Sequence, residues 1–289
     1  MKKYLLHPAT FKLDGGAMFG IIPKPLWQKK IIPDDKNRIL MSLRVVYLEL
    51  GERKILIDTG IGDYHSEKFN HQFDIQGKEK PIEALLKEYF QIGGEAITDI
   101  ILTHLHFDHV GGLGTGENSK ELAFPNATIH LHKKHFEYSL KPTVRDQGSF
   151  HTHFYLPLIE KYKDKNQIHF LNDDSGVIMQ EGDEKIEYVI SKGHTPYMIH
   201  PIFDKYIYMA DLVPMEHHIN LPWVMGYDIE PGVTTQFKEQ IYKLIMQRNL
   251  KMIFEHDHET LYSSLAQDER KSFIAKDSVK AASPVEKLA

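Results

Sequence analysis

Thr103-His104-Leu105-His106-Phe107-Asp108-His109-Val110-Gly111-Gly112 puts three imidazoles and a carboxylate within six consecutive residues, directly after the apolar run Ile97 to Leu102 and directly before a glycine pair. A short apolar run of this kind reads as a buried strand, so the polar residues fall on the loop at its C-terminal end, where open α/β sheets carry their chemistry. If the chain is still extended at His104, side chains two apart share a side, and His104 and His106 can grip one ion while Leu105 enters the core. Asp108 and His109 follow the turn and face another direction, so one loop can supply ligands to two adjacent ions. Neutral imidazole and carboxylate donors suit zinc, and also iron, manganese or cobalt. The competing reading is a solvated histidine-rich loop; the strand before the motif and the glycines after it argue against that.

Composition bounds the rest. The chain has 289 residues, 42% hydrophobic and 26% charged, which suits one large α/β unit with ample core. A net charge of -5 argues against a nucleic-acid groove, which normally carries a basic excess. There is no cysteine, so any metal must be held by His, Asp and Glu. Met1 to His7 opens basic but lacks an apolar segment of signal-peptide length, and no apolar stretch approaches a membrane span. A cytoplasmic enzyme is the expectation.

Upstream of the motif, Asp14-Gly15-Gly16-Ala17-Met18-Phe19-Gly20 reads as turn-rich, and the prolines of Ile21-Ile22-Pro23-Lys24-Pro25-Leu26-Trp27 forbid a regular helix. Trp27 reads as a core cap in preference to a pocket wall. Residues 42–50 and 53–58 are β-rich runs separated by Gly51-Glu52, and the second ends in Asp58-Thr59-Gly60, which either orients a ligand histidine or forms a turn. Residues 61–80 read as polar and irregular, with His65, His71 and Asp74 outside any site. Pro81 to Phe90 predicts an amphipathic helix.

Downstream, Ala127 to His132 predicts a strand and Lys133 to Leu140 a helix, whose His130, His132 and His135 lack carboxylate partners. Asp146 to Leu158 is aromatic and histidine-bearing without clear periodicity, either a wall over the site or a packed surface excursion. Residues 167–171, 185–190 and 205–210 read as strands, Thr234 to Gln247 as a helix, and Lys251 to Phe254 as a strand. From Leu261 the chain turns polar, and a helical or frayed tail is expected, peripheral from about residue 263. With no repeat or linker, residues 1–289 read as a single domain. Recurrence adds weight to the strand ends: His194 follows one strand in Gly193-His194-Thr195-Pro196, Asp211 follows the next, and His256 follows the last.

The ordered set His104-x-His106-x-Asp108-His109, then His194, Asp211 and His256, resembles the metallo-β-lactamase superfamily, with Asp58-Thr59-Gly60 similar to its upstream motif. The opening Asp14 to Gly20 with Pro23-Lys24-Pro25-Leu26-Trp27 is similar to a lactonase-like subgroup that includes N-acyl-homoserine lactonases and quorum-quenching enzymes. The resemblance implies an α/β fold, the four-layer αββα sandwich, with two mixed β-sheets flanked by helices. It implies two divalent ions, zinc before iron, manganese or cobalt: His104, His106 and His194 on the first, Asp108, His109 and His256 on the second, Asp211 bridging. A bridging hydroxide would then attack a lactone or small ester, with Asp108 passing a proton to the departing alkoxide.

Two departures stand out. Tyr197 and Met198 follow Gly-His-Thr-Pro where the family often continues with glycine and histidine, and Pro214 stands where homoserine lactonases carry a tyrosine that assists the carbonyl. That hydroxyl would come from Tyr197 or Tyr227, or be absent, which puts lactone preference in question. Rival readings are a phosphotriester, phosphodiester or thioester hydrolase with the same centre, or a non-catalytic metal-binding module. The acidic balance weighs against nucleases. The expected partner is a small-molecule lactone or ester, without nucleic acid or membrane, and a homodimer is compatible with the sequence.

Overall fold

The computed structural model describes residues 1–77 and 81–289. Its strands are β1 (Lys2–Asp14), β2 (Arg38–Leu50), β3 (Arg53–Ile57), β4 (Asp99–Ile101), the short pair β5 (Gly114–Thr115) and β6 (Glu121–Leu122), β7 (Thr128–His132), β8 (Ile168–Leu171), β9 (Ser175–Glu181), β10 (Glu184–Ser191), β11 (Met198–Phe203), β12 (Tyr206–Tyr208), β13 (Lys251–Ile253), β14 (Thr260–Gln267), β15 (Phe273–Lys280) and β16 (Val285–Lys287). The helices are α1 (Gly15–Phe19), α2 (Lys24–Trp27), α3 (Glu67–Phe73), α4 (Ile82–Phe90), α5 (Phe107–Val110), α6 (Lys133–Ser139), α7 (Thr152–Asp164) and α8 (Pro231–Arg248).

Two mixed sheets form, in the orders β16-β1-β2-β3-β4-β7-β8 and β15-β14-β13-β12-β11-β10-β9. Pairing is antiparallel except for β3 to β4, β4 to β7, β7 to β8 and β12 to β13. Alternation along the strands builds the layers. In the first sheet Leu5, Val46, Leu48, Ile55, Ile57 and Ile101 join the second sheet's Ile190, Ile199, Tyr208 and Ile253 in one core. Their immediate neighbours Leu6, Val45, Tyr47, Leu56 and Ile100 point the other way, onto α4 and α7. The side chains Ile241, Tyr242 and Ile245 of α8 join the core of the second sheet. The result is the αββα sandwich, each buried Leu, Ile or Phe stabilising it by about 1.5–3 kcal/mol.

Several elements differ from the sequence reading. Lys2–Asp14, for which the sequence pattern predicts no element, is a strand of 13 residues. Asp14 caps a helical turn, its Oδ1 accepting from Ala17 N at 2.8 Å. Pro23 and Pro25 do not prevent α2, because both lie in its opening turn, where the missing N–H costs nothing. Part of the 61–80 segment is the helix α3, and residues 78–80 of that expectation lie outside the described residues. The aperiodic 146–158 stretch ends inside α7, which accommodates Pro157. Strands β9 and β11 were not anticipated. The tail is neither helical nor frayed: β14 and β15 form an antiparallel pair, and β16 pairs with β1 at Tyr4↔Lys287.

Candidate metal centre

Both sheets deliver side chains to the same end of the sandwich. Asp58 follows β3, His104 and His106 lie between β4 and α5, His194 follows β10, Asp211 sits in the turn Ala210–Leu212 after β12, and His256 follows β13. Backbone geometry fixes the motif loop. Asp58, at φ 60°, accepts from Thr103 N and Thr103 Oγ1, both at 2.7 Å, and Thr59 N donates to His109 O at 2.8 Å. Gly111 and Gly112 press onto this turn: a Cβ at either would lie 2.0 Å from Ile61 O or 2.1 Å from Thr59 O, so no larger residue fits.

The seven residues His104, His106, Asp108, His109, His194, Asp211 and His256 converge, all buried. They form two groups, His104, His106, His194 and Asp211 in one, Asp108, His109 and His256 in the other. Asp211 straddles them. Its Oδ2 lies 3.0 Å from His194 Nε2, 3.7 Å from His104 Nε2 and 3.6 Å from His109 Nε2, while Oδ1 lies 3.0 Å from His256 Nε2. His106 turns Nδ1 toward His194 Nε2 at 3.2 Å. Donor atoms about 2.0–2.1 Å from a tetrahedral ion sit roughly 3.3–3.4 Å apart, so these spacings fit ligands around ions.

Hydrogen bonding selects which nitrogens face the cluster. His194 Nδ1 donates to Asp228 at 2.9 Å, His109 Nδ1 to Asp58 at 3.1 Å and His256 Nδ1 to the Ser42 carbonyl at 2.8 Å. His104 Nδ1 meets Thr103 Oγ1 at 3.0 Å. Each leaves Nε2 with a lone pair facing the cluster. Among the described residues, Nε2 of His104 and His109 and Oδ1 of Asp211 are buried without a hydrogen-bond partner, an expensive arrangement unless a cation takes the lone pairs.

Electrostatics agree. Burial pushes the imidazoles of His104 and His106 well below their ordinary range, holding them neutral. Burial lowers His194 and His256 too, but Asp211 together with Asp228 at His194, and with Glu255 and Asp108 at His256, outweighs it and raises them to about 10 and about 9. The carboxylates therefore demand positive charge at the centre. Glu255 adds to that demand: Oε2 lies 3.1 Å from the same His109 Nδ1 that faces Asp58. Burial pushes Glu255 up to about 7 against the opposing pull of His109, which eases the crowding of two carboxylates on one N–H.

A cavity of about 270 Å³ opens over the cluster. His106, Asp108, His194, Asp211 and His256 form its floor, Leu13, Met18, Met41, Phe73, Phe107 and Met225 an apolar wall, and Arg145, Gly148, Ser149 and Tyr227 a more polar rim. Tyr227 thus lines the cavity. Tyr197 does not: its ring stacks on His132 at 4.8 Å, with the Lys134 and Lys192 ammonium groups over its face, because the chain turns at φ 60° there. The 146–158 stretch divides its work. Gly148 and Ser149 wall the cavity and Phe150 packs edge-on against His106 at 4.7 Å, whereas Phe154 and Tyr155 enter the core.

Asp228, Glu255 and Phe73 escaped the sequence reading, and His135, read there as a residue of the 133–140 helix, has a role beside the site. His135 accepts from Leu105 N at 2.9 Å and donates to Pro196 O at 2.7 Å, tying the motif loop to the His194 loop. Only Glu255 carried a signal, its place beside His256; Asp228 is a single aspartate in an irregular loop. His65, His71 and Asp74 do not line the cavity. His218 is structural, donating from Nε2 to Met18 O at 2.8 Å.

No curated protein matches the chain by sequence. Among solved structures, it superposes on a probable metal-dependent hydrolase from Staphylococcus aureus with a TM-score of 0.79 at 24% identity, covering 96% of this chain and 97% of the other. AidC, a dizinc quorum-quenching lactonase solved in complex with a product, gives 0.73 at 18%, covering 97% and 94%. AbOPH, a hydrolase in the β-lactamase superfamily, gives 0.68 at 20%, covering 94% and 92%. At such identities the likeness speaks to the fold. The description of the metallo-β-lactamase superfamily matches residues 44–282, and the chain belongs to that superfamily.

Proposed function

We propose that this protein is a metal-dependent hydrolase that opens a lactone or cleaves a small carboxylic ester. His104, His106 and His194 would hold one divalent ion, Asp108, His109 and His256 a second, with Asp211 between them. Zinc suits this nitrogen and oxygen donor set best. The observation that carries the reading is the position of Asp211, whose two oxygens face different histidine groups at 3.0 Å each. Bound there, the ions would supply a water acidic enough to ionise near neutral pH and a Lewis acid for the carbonyl.

The chain's own residues do the rest. The apolar wall of Leu13, Met18, Met41, Phe73, Phe107 and Met225 takes up a hydrocarbon arm and excludes water. Burial, with the Asp14 and Asp108 charges, raises the Tyr227 phenol to about 12, so it stays protonated and can donate to the carbonyl oxygen as charge develops. As the water oxygen bonds to the carbonyl carbon, Asp108 would take the proton that the water gives up and, as the C–O bond breaks, return it to the leaving alkoxide.

A panel of lactones, aryl esters, thioesters and phosphotriesters tests this on zinc-loaded protein. Turnover of lactones or esters that chelation abolishes, and that Tyr227→Phe lowers about tenfold or more in kcat, supports it. Turnover confined to thioesters or phosphotriesters would overturn the substrate class.

A further inference from the structure

Arg145 is the only lysine or arginine among the described residues that line the cavity over the cluster. Its guanidinium is half engaged. Nη2 donates to the carbonyls of Gly226 at 2.5 Å and Asp228 at 3.3 Å, the two residues flanking Tyr227, while Nε and Nη1 find no partner among the described residues. No described carboxylate pairs with it, in a chain whose acids outnumber its bases by 40 to 35. The two carbonyls fix the plane of the fork without neutralising it. A fixed fork with spare N–H donors matches the planar, bidentate geometry of a carboxylate.

We propose that Arg145 reads a carboxylate on the substrate, separate from the scissile carbonyl, so that the preferred substrate is a lactone or ester that also carries an anionic group. This deepens the hydrolase reading and rests on it for turnover, but not for binding. The scissile carbonyl sits over Asp211 and the imidazoles, the hydrocarbon stretch lies along the Met and Phe wall, and the anion closes on Arg145 at the rim. Arg145 also draws the Gly226–Asp228 loop over the site, so an anion bound there would steady the neighbouring Tyr227.

Two measurements test this on the zinc-loaded protein. In the first, esters matched in chain length, one ending in methyl and one in carboxylate, are compared as substrates of the wild type, R145Q and R145E. The carboxylate ester should be favoured about tenfold or more in kcat/KM, chiefly through KM, as expected for a charge-assisted pair. R145Q should erase that preference, R145E should reverse it, and R145K should restore part of it. In the second, calorimetry compares glutarate, adipate and suberate with hexanoate, so that one carboxylate can occupy the metal centre and the other can reach Arg145. At least one dicarboxylate should bind about tenfold tighter than hexanoate in the wild type, and no tighter in R145Q. A wild type that shows no preference for the anion in either measurement, or an R145Q variant that keeps it, overturns the proposal. Tighter dicarboxylate binding without turnover of any ester would uphold the anion site and sink the hydrolase reading.

Discussion

Two stretches of this chain share the pattern His-x-His-x-x-His: His104, His106 and His109, and His130, His132 and His135. Their fates differ. In the first, the imidazoles meet Asp108 and Asp211 and turn unpaired nitrogens into a shared space. In the second, His130 Nε2 donates to Asp99 at 2.8 Å, His132 Nδ1 accepts from Lys134 N at 3.2 Å at the start of α6, and His135 bridges Leu105 N and Pro196 O. Spacing alone does not make a metal site. His130 does find a carboxylate, contrary to the sequence reading, but Asp99 closes the pair; what separates the two is convergence of several imidazoles and carboxylates on one space, with lone pairs that the protein leaves unpaired.

The largest contrast should come from Asp211, which serves both histidine groups. Asp211→Asn should lower kcat/KM by about 10³-fold or more and remove metal. Full activity and metal content in that variant would erase the distinction between the two stretches. One step further out, Asp228→Asn takes the acceptor from His194 Nδ1 and should weaken metal binding by about 10–100-fold, read by chelator competition. Retention of wild-type affinity would mean that His194 is oriented some other way.

The second stretch, and the buried His218 elsewhere in the fold, predict effects on stability. His135 is neutral because burial pushes it down to about 4, and burial pushes His218 to about 3. The unfolded chain protonates both near their ordinary value of about 6.5, so it binds more protons than the native state below that pH. Stability should therefore fall as pH drops from about 6.5 towards 3, by at most about 5 kcal/mol for His218. Urea midpoints measured across this range should show a shallower slope in His218→Gln, and an unchanged slope would contradict the assignment. The smallest effect belongs to His130→Ala, which should cost about 1–2 kcal/mol while leaving metal content and turnover intact. Loss of metal there would mean that the second stretch is part of the centre.

Much of the fold was legible because one face or both faces of a strand were apolar. The runs read as strands over 42–50, 53–58 and 127–132 lie within or across β2, β3 and β7, and the helices α4 and α8 follow from periodicity. Lys2–Asp14 was not, since lysines and a proline interrupt it and its register with β2 shifts between Leu6 and Ala9. The tail misled for a related reason: β15 is mostly exposed, so its polar residues carry no core signal. At the site, the four residues clustered in 104–109 announced themselves, and His194, Asp211 and His256 gained meaning only as a recurring strand-end placement. Asp228 and His135 act by meeting residues 34 and 30 positions away, contacts that no local pattern encodes. Tyr197 and Tyr227 were equivalent in sequence, and only backbone direction separates the one on His132 from the one in the cavity.

Anomalous scattering at the zinc edge, recorded from zinc-soaked crystals, interrogates the centre most directly. Two peaks are expected on either side of the Asp211 carboxylate, one against His104, His106 and His194, the other against Asp108, His109 and His256. A map without density between these side chains, or with zinc at His130 and His135 in their stead, would contradict it.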